Sequence, residues 1–319
     1  MILPDSNEIN TNFELLDPQS HENVAVIPIK SEMGSKLDIL TLKKGMELGL
    51  VEVKELEKST VNILTVKNNA VTPLVLIDGE EVVGGDQNRI VNLTSVIAPK
   101  SQTNIAVSCT ERGRWGYKSE FKSSPHIADY NTRRSKAVAL FKKRPVQGEV
   151  WASIDRLENN HSFKSRTSAM SESYENQKAN LEEMLQSFSI VDGQNGILVI
   201  VNGEIVGFEI LLNPQVYRDF HEKILKSYLI DTEVKTTEFT INVDEARGVI
   251  QNALDSKFKP KETPTMEKSY EFENDDGLGT LYTYENEIVH LSYFKKDEKG
   301  NAHDDGVAVN GHEPEVFRI

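Results

Sequence analysis

A series of short β-branched segments separated by turn residues is the feature that most limits how this chain can fold. None of these segments exceeds nine residues, which is too short for a typical helix pattern. Segments this short and this closely spaced predict mainly antiparallel β-structure. The segments are residues 24–29, 37–42, 50–53, 61–66, 74–77, 80–83, 90–98 and 104–108. We expect the β-rich part of the chain to end near Trp115.

Three of the connections predict hairpins. Asp78-Gly79 joins segment 74–77 to segment 80–83, and Asn202-Gly203 joins 196–201 to 204–211. Such dipeptides readily adopt the positive φ angles of a type I′ turn. A third hairpin is predicted around residues 285–287.

The hydrophobic period changes after residue 128, and four helices are predicted there. The third is expected to begin at a cap supplied by Thr167 or Ser171. Residues 255–268 are rich in lysine and proline and predict an exposed connector. The predicted helices are 128–140, 148–157, 171–188 and 215–229.

Together these patterns predict an α+β fold. We expect an N-terminal, mainly antiparallel β-sandwich or barrel, followed by helices and a small antiparallel sheet packed on it as one unit. Along the chain this gives four segments in order: a polar lead-in, a β-rich domain, a helical and hairpin region, and a connector with a hairpin and a polar tail. Their boundaries are 1–22, 23–127, 128–254 and 255–319.

Composition restricts the setting and the partners. A net charge of −14 repels polyanions, which argues against general coating of nucleic acid. A single cysteine, Cys109, cannot form an internal disulfide, and no signal sequence or membrane-spanning stretch is visible, so we expect a cytoplasmic protein with no membrane partner. The histidines show no metal signature; His303 and His312 lie in a polar tail, and we expect no metal site.

The charge is unevenly distributed. Residues 112–144 contain ten bases and two acids, a local charge of +8, and aromatic residues are interleaved with the bases. Guanidinium groups bind phosphate while aromatic faces stack on bases, so this mixture suits a nucleotide or a short nucleic-acid segment. A solvated basic helix balanced by acidic neighbours is the alternative.

Two short segments hold the candidate ligand-binding and catalytic residues. Residues 84–89 begin with two glycines and continue with polar side chains, which suits a binding loop or simply a turn between strands. Residues 109–115 follow a strand, where side chains are well placed to line a pocket. There Glu111 could act as a general base or accept a hydrogen bond from ribose, unless it is a structural ion-pair partner. Cys109 fits a buried strand residue better than a nucleophile.

Several of these segments resemble the ARG and rhodanese-phosphatase superfamily associated protein (ARPP) family of uncharacterised domains. The resemblance covers roughly residues 22 to 235, although Gln147 lies three residues before Val150 where the family pattern often has two. It implies a link to NAD and ADP-ribose metabolism, because the family is named for a genomic neighbourhood that includes ADP-ribosylglycohydrolases. The segments that carry it are Gly79-Glu80 with Gly84, Gln87-Asn88-Arg89, residues 107–115, Val150-Trp151 and residues 165–169.

We therefore predict an intracellular enzyme or sensor that acts on an ADP-ribose-type nucleotide, with hydrolysis as the favoured reaction and no cofactor identified. Glu111 is the catalytic candidate. Arg89 and Arg114 are expected to neutralise phosphate, and Trp115 or Trp151 to stack on the base. The alternatives are a non-catalytic binding module or scaffold for a partner protein, and a single-stranded nucleic-acid binder. The ligand-binding candidates are Gln87, Asn88, Arg89, Arg114, Trp115, Trp151 and Thr167.

Overall fold

A computed structural model describes residues 12–32, 37–56, 60–233, 235 and 238–296. Within these residues the chain forms eighteen strands and seven helices, and nearly all strand pairs are antiparallel, which confirms the predicted α+β class. The helices are α1 Leu42–Glu47, α2 Tyr130–Phe141, α3 Val146–Asn160, α4 Met170–Asn176, α5 Lys178–Leu185, α6 Pro214–Leu229 and α7 Val243–Leu254. The strands are β1 Phe13–Leu15, β2 Gln19–His21, β3 Val24–Ser31, β4 Leu40–Thr41, β5 Val51–Glu55, β6 Ile63–Asn68, β7 Leu74–Leu76, β8 Glu80–Val83, β9 Arg89–Val91, β10 Ser95–Ile97, β11 Ser101–Cys109, β12 Lys122–Ile127, β13 Gly196–Val201, β14 Glu204–Leu211, β15 Lys259–Lys261, β16 Lys268–Glu273, β17 Gly277–Tyr284 and β18 Glu287–Lys295.

The largest sheet in the described part of the chain has nine strands and combines both ends of the sequence. Its order is β1-β3-β13-β14-β18-β17-β16-β15, with β2 also paired to β3. Val24 of β3 lies opposite Val201 of β13, so the N-terminal segment pairs with a strand from the middle of the chain. This sheet therefore takes strands from all four predicted segments, including β1 and β2 from the predicted polar lead-in.

Two smaller sheets complete the β-structure. A six-stranded sheet has the order β12-β8-β9-β11-β6-β5, and a three-stranded sheet has the order β10-β7-β4. The six-stranded sheet is curled, so that its two edge strands, β5 and β12, line the same groove. The pairing of β4 with β7 is parallel.

Burial on both faces of the nine-stranded sheet follows from the sequence of β3. Side chains alternate between the two faces of a strand, and neighbouring residues of β3 belong to two different apolar clusters. Val24 and Val26 pack toward the helices of the middle region, while Ala25 and Ile27 pack toward α7. This explains why β3 is continuously apolar, whereas a strand with one solvated face would alternate with polar residues.

Two of the three predicted hairpins are confirmed. Asn202 and Gly203 have φ angles of 52° and 85°, as a type I′ turn requires, and β13 pairs with β14. Glu285 and Asn286, with φ angles of 50° and 65°, connect β17 to β18 in the same way. Helices α2, α3 and α6 also lie where the sequence predicts them.

The hairpin predicted at Asp78-Gly79 is wrong. Gly79 has a φ of 81° but Asp78 does not have a positive φ, so the turn is not type I′. The two flanking strands separate, because β7 pairs with β10 and β4 while β8 pairs with β9 and β12. The dipeptide therefore moves the chain from one sheet to another.

Two predicted strands are also interrupted. Residues 90–98 form the separate strands β9 and β10, because the side chain of Thr94 turns inward and its Oγ1 accepts a hydrogen bond from the Asp78 amide at 3.0 Å. Residues 37–42 keep only the two-residue strand β4, and Leu42 begins helix α1, in which its side chain is buried.

The third predicted helix is interrupted, and its predicted caps are wrong. Residue Gln177 separates α4 from α5, and α4 begins after Ala169 instead of Thr167 or Ser171. The Thr167 hydroxyl instead donates a hydrogen bond to Glu111 at 3.1 Å. This tertiary contact occupies the hydroxyl that was predicted to cap the helix.

Several elements were not predicted. Strand β12 continues the β-structure beyond Trp115, and its polar sequence with Pro125 suits an edge strand, which explains why it was missed. Helix α7, strand β16 and strand β15, which lies within the predicted connector, were also missed. The predicted polar tail with His303 and His312 lies outside the described residues.

Buried charges connect helix α2 to two different sheets. Arg133 is fully buried and donates to both carboxylate oxygens of Glu209 in β14, at 2.7 and 2.6 Å. One turn further along α2, Lys136 contacts Asp78 between β7 and β8. His290 of β18 adds a 3.2 Å contact from its Nε2 to Glu209. Burial alone would raise the pKa of Glu209, but the charge of Arg133 and the bond from His290 outweigh it and lower the pKa to about 2.

We predict that Glu209→Gln destabilises the fold, because it removes the charge of the carboxylate that binds the buried Arg133 cation most closely and leaves only Asp78, at 3.8 Å, opposite it. The expected loss is about 3–5 kcal/mol in the free energy of unfolding, measured by urea denaturation. The control is Glu175→Gln, which removes one partner of an exposed pair with Lys178 and should leave the free energy of unfolding nearly unchanged. Equal stability of Glu209→Gln and the control would contradict the structural role of this network.

Candidate functional site

The predicted catalytic residue Glu111 follows β11 and is the centre of a hydrogen-bonded network. Its Oε2 accepts from Arg114 Nε at 2.8 Å and its Oε1 from the Thr167 hydroxyl at 3.1 Å. The amide of Asn88 lies 3.4 Å from Oε2. Burial would raise the pKa of Glu111, but the hydrogen bonds and charge of Arg114 outweigh it and lower that pKa. The carboxylate is therefore held in its charged form by protein groups.

Arg114 connects this carboxylate to the glycine loop at residues 84–88. Its guanidinium donates to the carbonyl oxygens of Gly84 at 3.1 Å, Gly85 at 2.7 Å and Gly116 at 3.1 Å. Gly85 has a φ of 52°, and a Cβ there would lie 2.3 Å from the ring of Phe121, so only glycine fits. Arg114 thus fixes a loop whose sequence permits this close packing.

The two amide side chains of the loop face the same network. Gln87 Nε2 donates to the Glu111 carbonyl at 3.1 Å, and Asn88 Oδ1 accepts from the Gly84 amide at 3.1 Å. Both residues are buried. Gln87 Oε1 has no hydrogen-bond partner among the described residues. The structure therefore brings five predicted site residues together: Gln87, Asn88, Glu111, Arg114 and Thr167.

Arg89 and Cys109 lie opposite each other on β9 and β11. Arg89 is only 2% exposed, and its guanidinium donates to the Asn88 carbonyl at 3.2 Å. Burial lowers the pKa of Arg89 and raises the pKa of Cys109, so both charged forms are disfavoured. The fully buried thiol contacts the backbone of Glu111.

Gln147 has a clear structural role. Its side-chain amide accepts from the Cys109 amide at 2.8 Å and donates to the Cys109 carbonyl at 2.9 Å, as a neighbouring strand would do. Trp151, one turn along α3, lies under the Arg112 guanidinium at 5.3 Å. Trp115 is 70% exposed and lies apart from the network.

A groove of about 1310 Å³ lies between the two edges of the six-stranded sheet. Strand β5 and helix α1 form one wall, and β12 with α6 forms the other. None of the predicted site residues lines this groove, although Gly85 of the loop held by Arg114 does.

Basic residues concentrate on the α6 side, which we call the cation wall: Lys122, Arg218, Lys223 and Lys226. Lys223 Nζ donates to Glu80 at 2.9 Å and to the Ser123 hydroxyl at 3.1 Å. Lys122 and Arg218 make no ion pair with any residue that the structure describes. Burial, and then the charges of Lys226, Lys223 and Lys178, lower the pKa of His126 to about 3.

The basic segment 112–144 does not act as one surface. Arg133 and Lys136 are buried and ion-paired inside the fold, and only Lys122 of the ten bases lines the groove. The other cations of the wall come from α6, which the sequence predicted only as a helix. Tyr117, 70% exposed, provides an aromatic ring at the rim. Among the described residues, no group of three or more potential ligands could hold a metal ion, and no helix is long and apolar enough to cross a membrane.

Glu81 is a buried acid between the groove and the Glu111 network. It accepts from the Ser124 hydroxyl at 2.8 Å and the Thr110 hydroxyl at 3.0 Å. Burial, with a smaller contribution from the charge of Glu111, raises the pKa of Glu81 to about 7.

We predict that Glu81 makes stability depend on pH. Because its pKa in the fold, about 7, lies above the ordinary value of 4.5, the fold binds this proton more tightly than the unfolded chain does. Its stabilising effect is lost as pH rises from about 4.5 through 7. Glu81→Gln cannot titrate, so relative to wild type it should gain up to about 3 kcal/mol between pH 4.5 and 8, measured by urea denaturation. A difference that stays constant with pH would contradict the assignment.

Comparison with known proteins gives a family but no characterised relative. No curated protein matches the chain, and no solved structure matches it. The model of the ARG and Rhodanese-Phosphatase-superfamily-associated Protein domain, ARPP-1, matches residues 12–294 and so spans all three sheets. The chain therefore belongs to the ARPP-1 family.

Proposed function

We propose that this chain is an intracellular protein that binds an ADP-ribose- or NAD-type nucleotide in the groove and senses or hydrolyses it. The observation that carries the proposal is the combination, in one groove of about 1310 Å³, of a cation wall with an exposed aromatic ring. Such a nucleotide needs both features, because its diphosphate is anionic and its base is a flat aromatic surface.

The phosphate groups of the ligand face the cation wall in this proposal. Lys122 and Arg218 are exposed and have no internal ion pair, so their charges are available to a ligand. Lys223 has two described partners for its three N–H groups, which leaves one donor.

The base of the nucleotide faces the loop that carries Tyr117. This side chain is 70% exposed, and large exposed aromatic residues often mark binding surfaces. Trp115, two residues earlier and equally exposed, can contribute to the same stacking surface, as the sequence predicted. The loop is anchored at its base, because Arg114 donates to the Gly116 carbonyl at 3.1 Å.

The buried network acts through this loop. Glu111 orients Arg114, and Arg114 holds the carbonyl oxygens of Gly84 and Gly85 beside the groove. In the proposal Glu111 is therefore a positioning residue, and hydrolysis is the reaction class to be tested on the bound nucleotide. The carbonyl contacts of Arg114 likewise make it a support for the site.

We predict that ADP-ribose raises the melting temperature, since a ligand that binds only the folded state stabilises it by about 2.7 kcal/mol at one hundred times its Kd. Lys122→Ala and Arg218→Ala should each weaken binding by roughly 1.5–3 kcal/mol, measured by calorimetry. Lys257→Ala, an exposed lysine away from the groove, is the matched control. No shift in melting temperature with millimolar ADP-ribose or NAD would refute the proposal.

We predict that Tyr117→Ala weakens ADP-ribose binding but leaves binding of ribose 5-phosphate unchanged, because only the first ligand has a base. The expected loss is about 1–3 kcal/mol for the stacked base. Lys122→Ala should weaken the binding of both ligands, because both carry phosphate. If Tyr117→Ala affected both equally, the ring would not be the base-binding surface.

We predict that Glu111→Gln lowers stability before it changes any reaction. Arg114 and Glu111 are mostly buried, with 15% and 6% of their side chains exposed, so removing the carboxylate charge should cost about 3 kcal/mol of unfolding free energy. Turnover of ADP-ribose per folded molecule should then match wild type. A stable variant that binds ADP-ribose normally but has lost turnover would instead make Glu111 catalytic.

A further inference from the structure

The groove follows an unpaired edge of the six-stranded sheet. Strand β5 is the last strand in its order, and all five residues of β5 line the groove. The other edge strand, β12, contributes residues 122–125 to the opposite side. The groove is thus the gap between the two edges of one curled sheet.

The hydrogen-bonding phase of β5 shows which backbone groups point into this gap. Asn69 of the β5–β6 hairpin donates its amide to the Leu50 carbonyl at 2.8 Å, so this opposed pair is hydrogen-bonded. Bonded and non-bonded pairs alternate in an antiparallel ladder. Glu52 and Lys54 therefore bond to β6, whereas Val51, Val53 and Glu55 direct their amides and carbonyls away from β6.

Acids outnumber bases on the β5 and α1 side of the groove, where Glu47, Glu52 and Glu55 lie with Lys43 and Lys54, and Glu120, just before β12, lies near Lys54. Three of the acids that line the groove make no ion pair with a described residue: Glu47, Glu55 and Glu120. Glu47 and Glu120 are exposed. Glu55 accepts from the Asp86 amide at 2.9 Å and is half-buried. These charges favour a ligand with basic groups at this wall.

We infer that the free edge of β5 binds an extended polypeptide segment with basic side chains, which adds to the six-stranded sheet as a further strand. Backbone hydrogen bonds to Val53 and its alternate neighbours would hold the segment, and the three acids would select its charge. The occupant of the opposite cation wall is a separate matter, so this inference stands whether or not a nucleotide binds there.

A competing reading is that β5 is only a protected edge. Exposed charged residues such as Lys54 commonly discourage pairing between sheet edges. The experiment must therefore detect backbone pairing itself, because a basic peptide could also adhere to the acids by charge alone.

The probe is a fluorescent decapeptide of alternating valine and arginine, mixed with the full-length protein. Hydrogen exchange should slow at the amides of Val51, Val53 and Glu55 and stay unchanged at Glu52 and Lys54, which are already bonded to β6. A version of the peptide that is N-methylated at every second residue, along one edge of the strand, should bind at least about tenfold more weakly, since it cannot complete the backbone hydrogen bonds. A valine–glutamate version should not bind.

Charge selection is tested with a double variant, Glu47→Lys with Glu120→Lys. It should weaken binding of the valine–arginine peptide by about tenfold or more, which is the effect expected when favourable charge pairs are lost. Glu182→Lys with Glu204→Lys makes the same charge change at exposed positions outside the groove and should have little effect.

Three results would overturn the inference: no binding of the valine–arginine peptide, unchanged exchange at Val53, or equal binding of the N-methylated peptide. The nucleotide proposal is tested independently in the same samples. Lys122→Ala should weaken the binding of ADP-ribose without changing the hydrogen-exchange pattern of β5. Failure of one proposal is therefore distinguishable from failure of the other.

Discussion

The buried ion pairs of helix α2 are the interaction on which the arrangement of the sheets depends. Arg133 binds Glu209 in the nine-stranded sheet, and Lys136 binds Asp78 at the junction of the two smaller sheets. One helix therefore fixes the relative position of all three sheets. Burying such charges is unfavourable unless every partner is in place, so the pairs select this arrangement over other compact packings.

The same constraint explains where sequence and structure differ. Asp78-Gly79 has the composition of a hairpin turn, but Asp78 is bound to Lys136 and the chain continues into another sheet. Thr94 interrupts a continuous apolar segment because it lies between the Asp78 amide and His290. Local sequence correctly predicted the α+β class, the type I′ hairpin at Asn202-Gly203, the hairpin around residues 285–287 and helices α2, α3 and α6. It could not show which residues a distant buried charge would bind.

The candidate site illustrates a second limit. The sequence singled out Gln87, Asn88, Glu111, Arg114 and Thr167, and these residues do form one network. A sequence pattern cannot show, however, whether a polar side chain faces a ligand or the protein interior. Here the Arg114 guanidinium donates to backbone carbonyl oxygens, while three of the four residues of the cation wall come from α6, far along the chain. The sequence predicted these residues only as part of a helix, 215–229.

The pairing of β3 with β13 also has a consequence for how the protein is made. Val24 cannot pair with Val201, its partner in the register, until Val201 has left the ribosome. At about 5–20 residues per second this interval is roughly 10–35 seconds. During that time β3, whose neighbouring residues belong to two different apolar clusters, has neither of its final layers to cover it. The nascent chain therefore exposes this apolar strand until the middle of the sequence has been made.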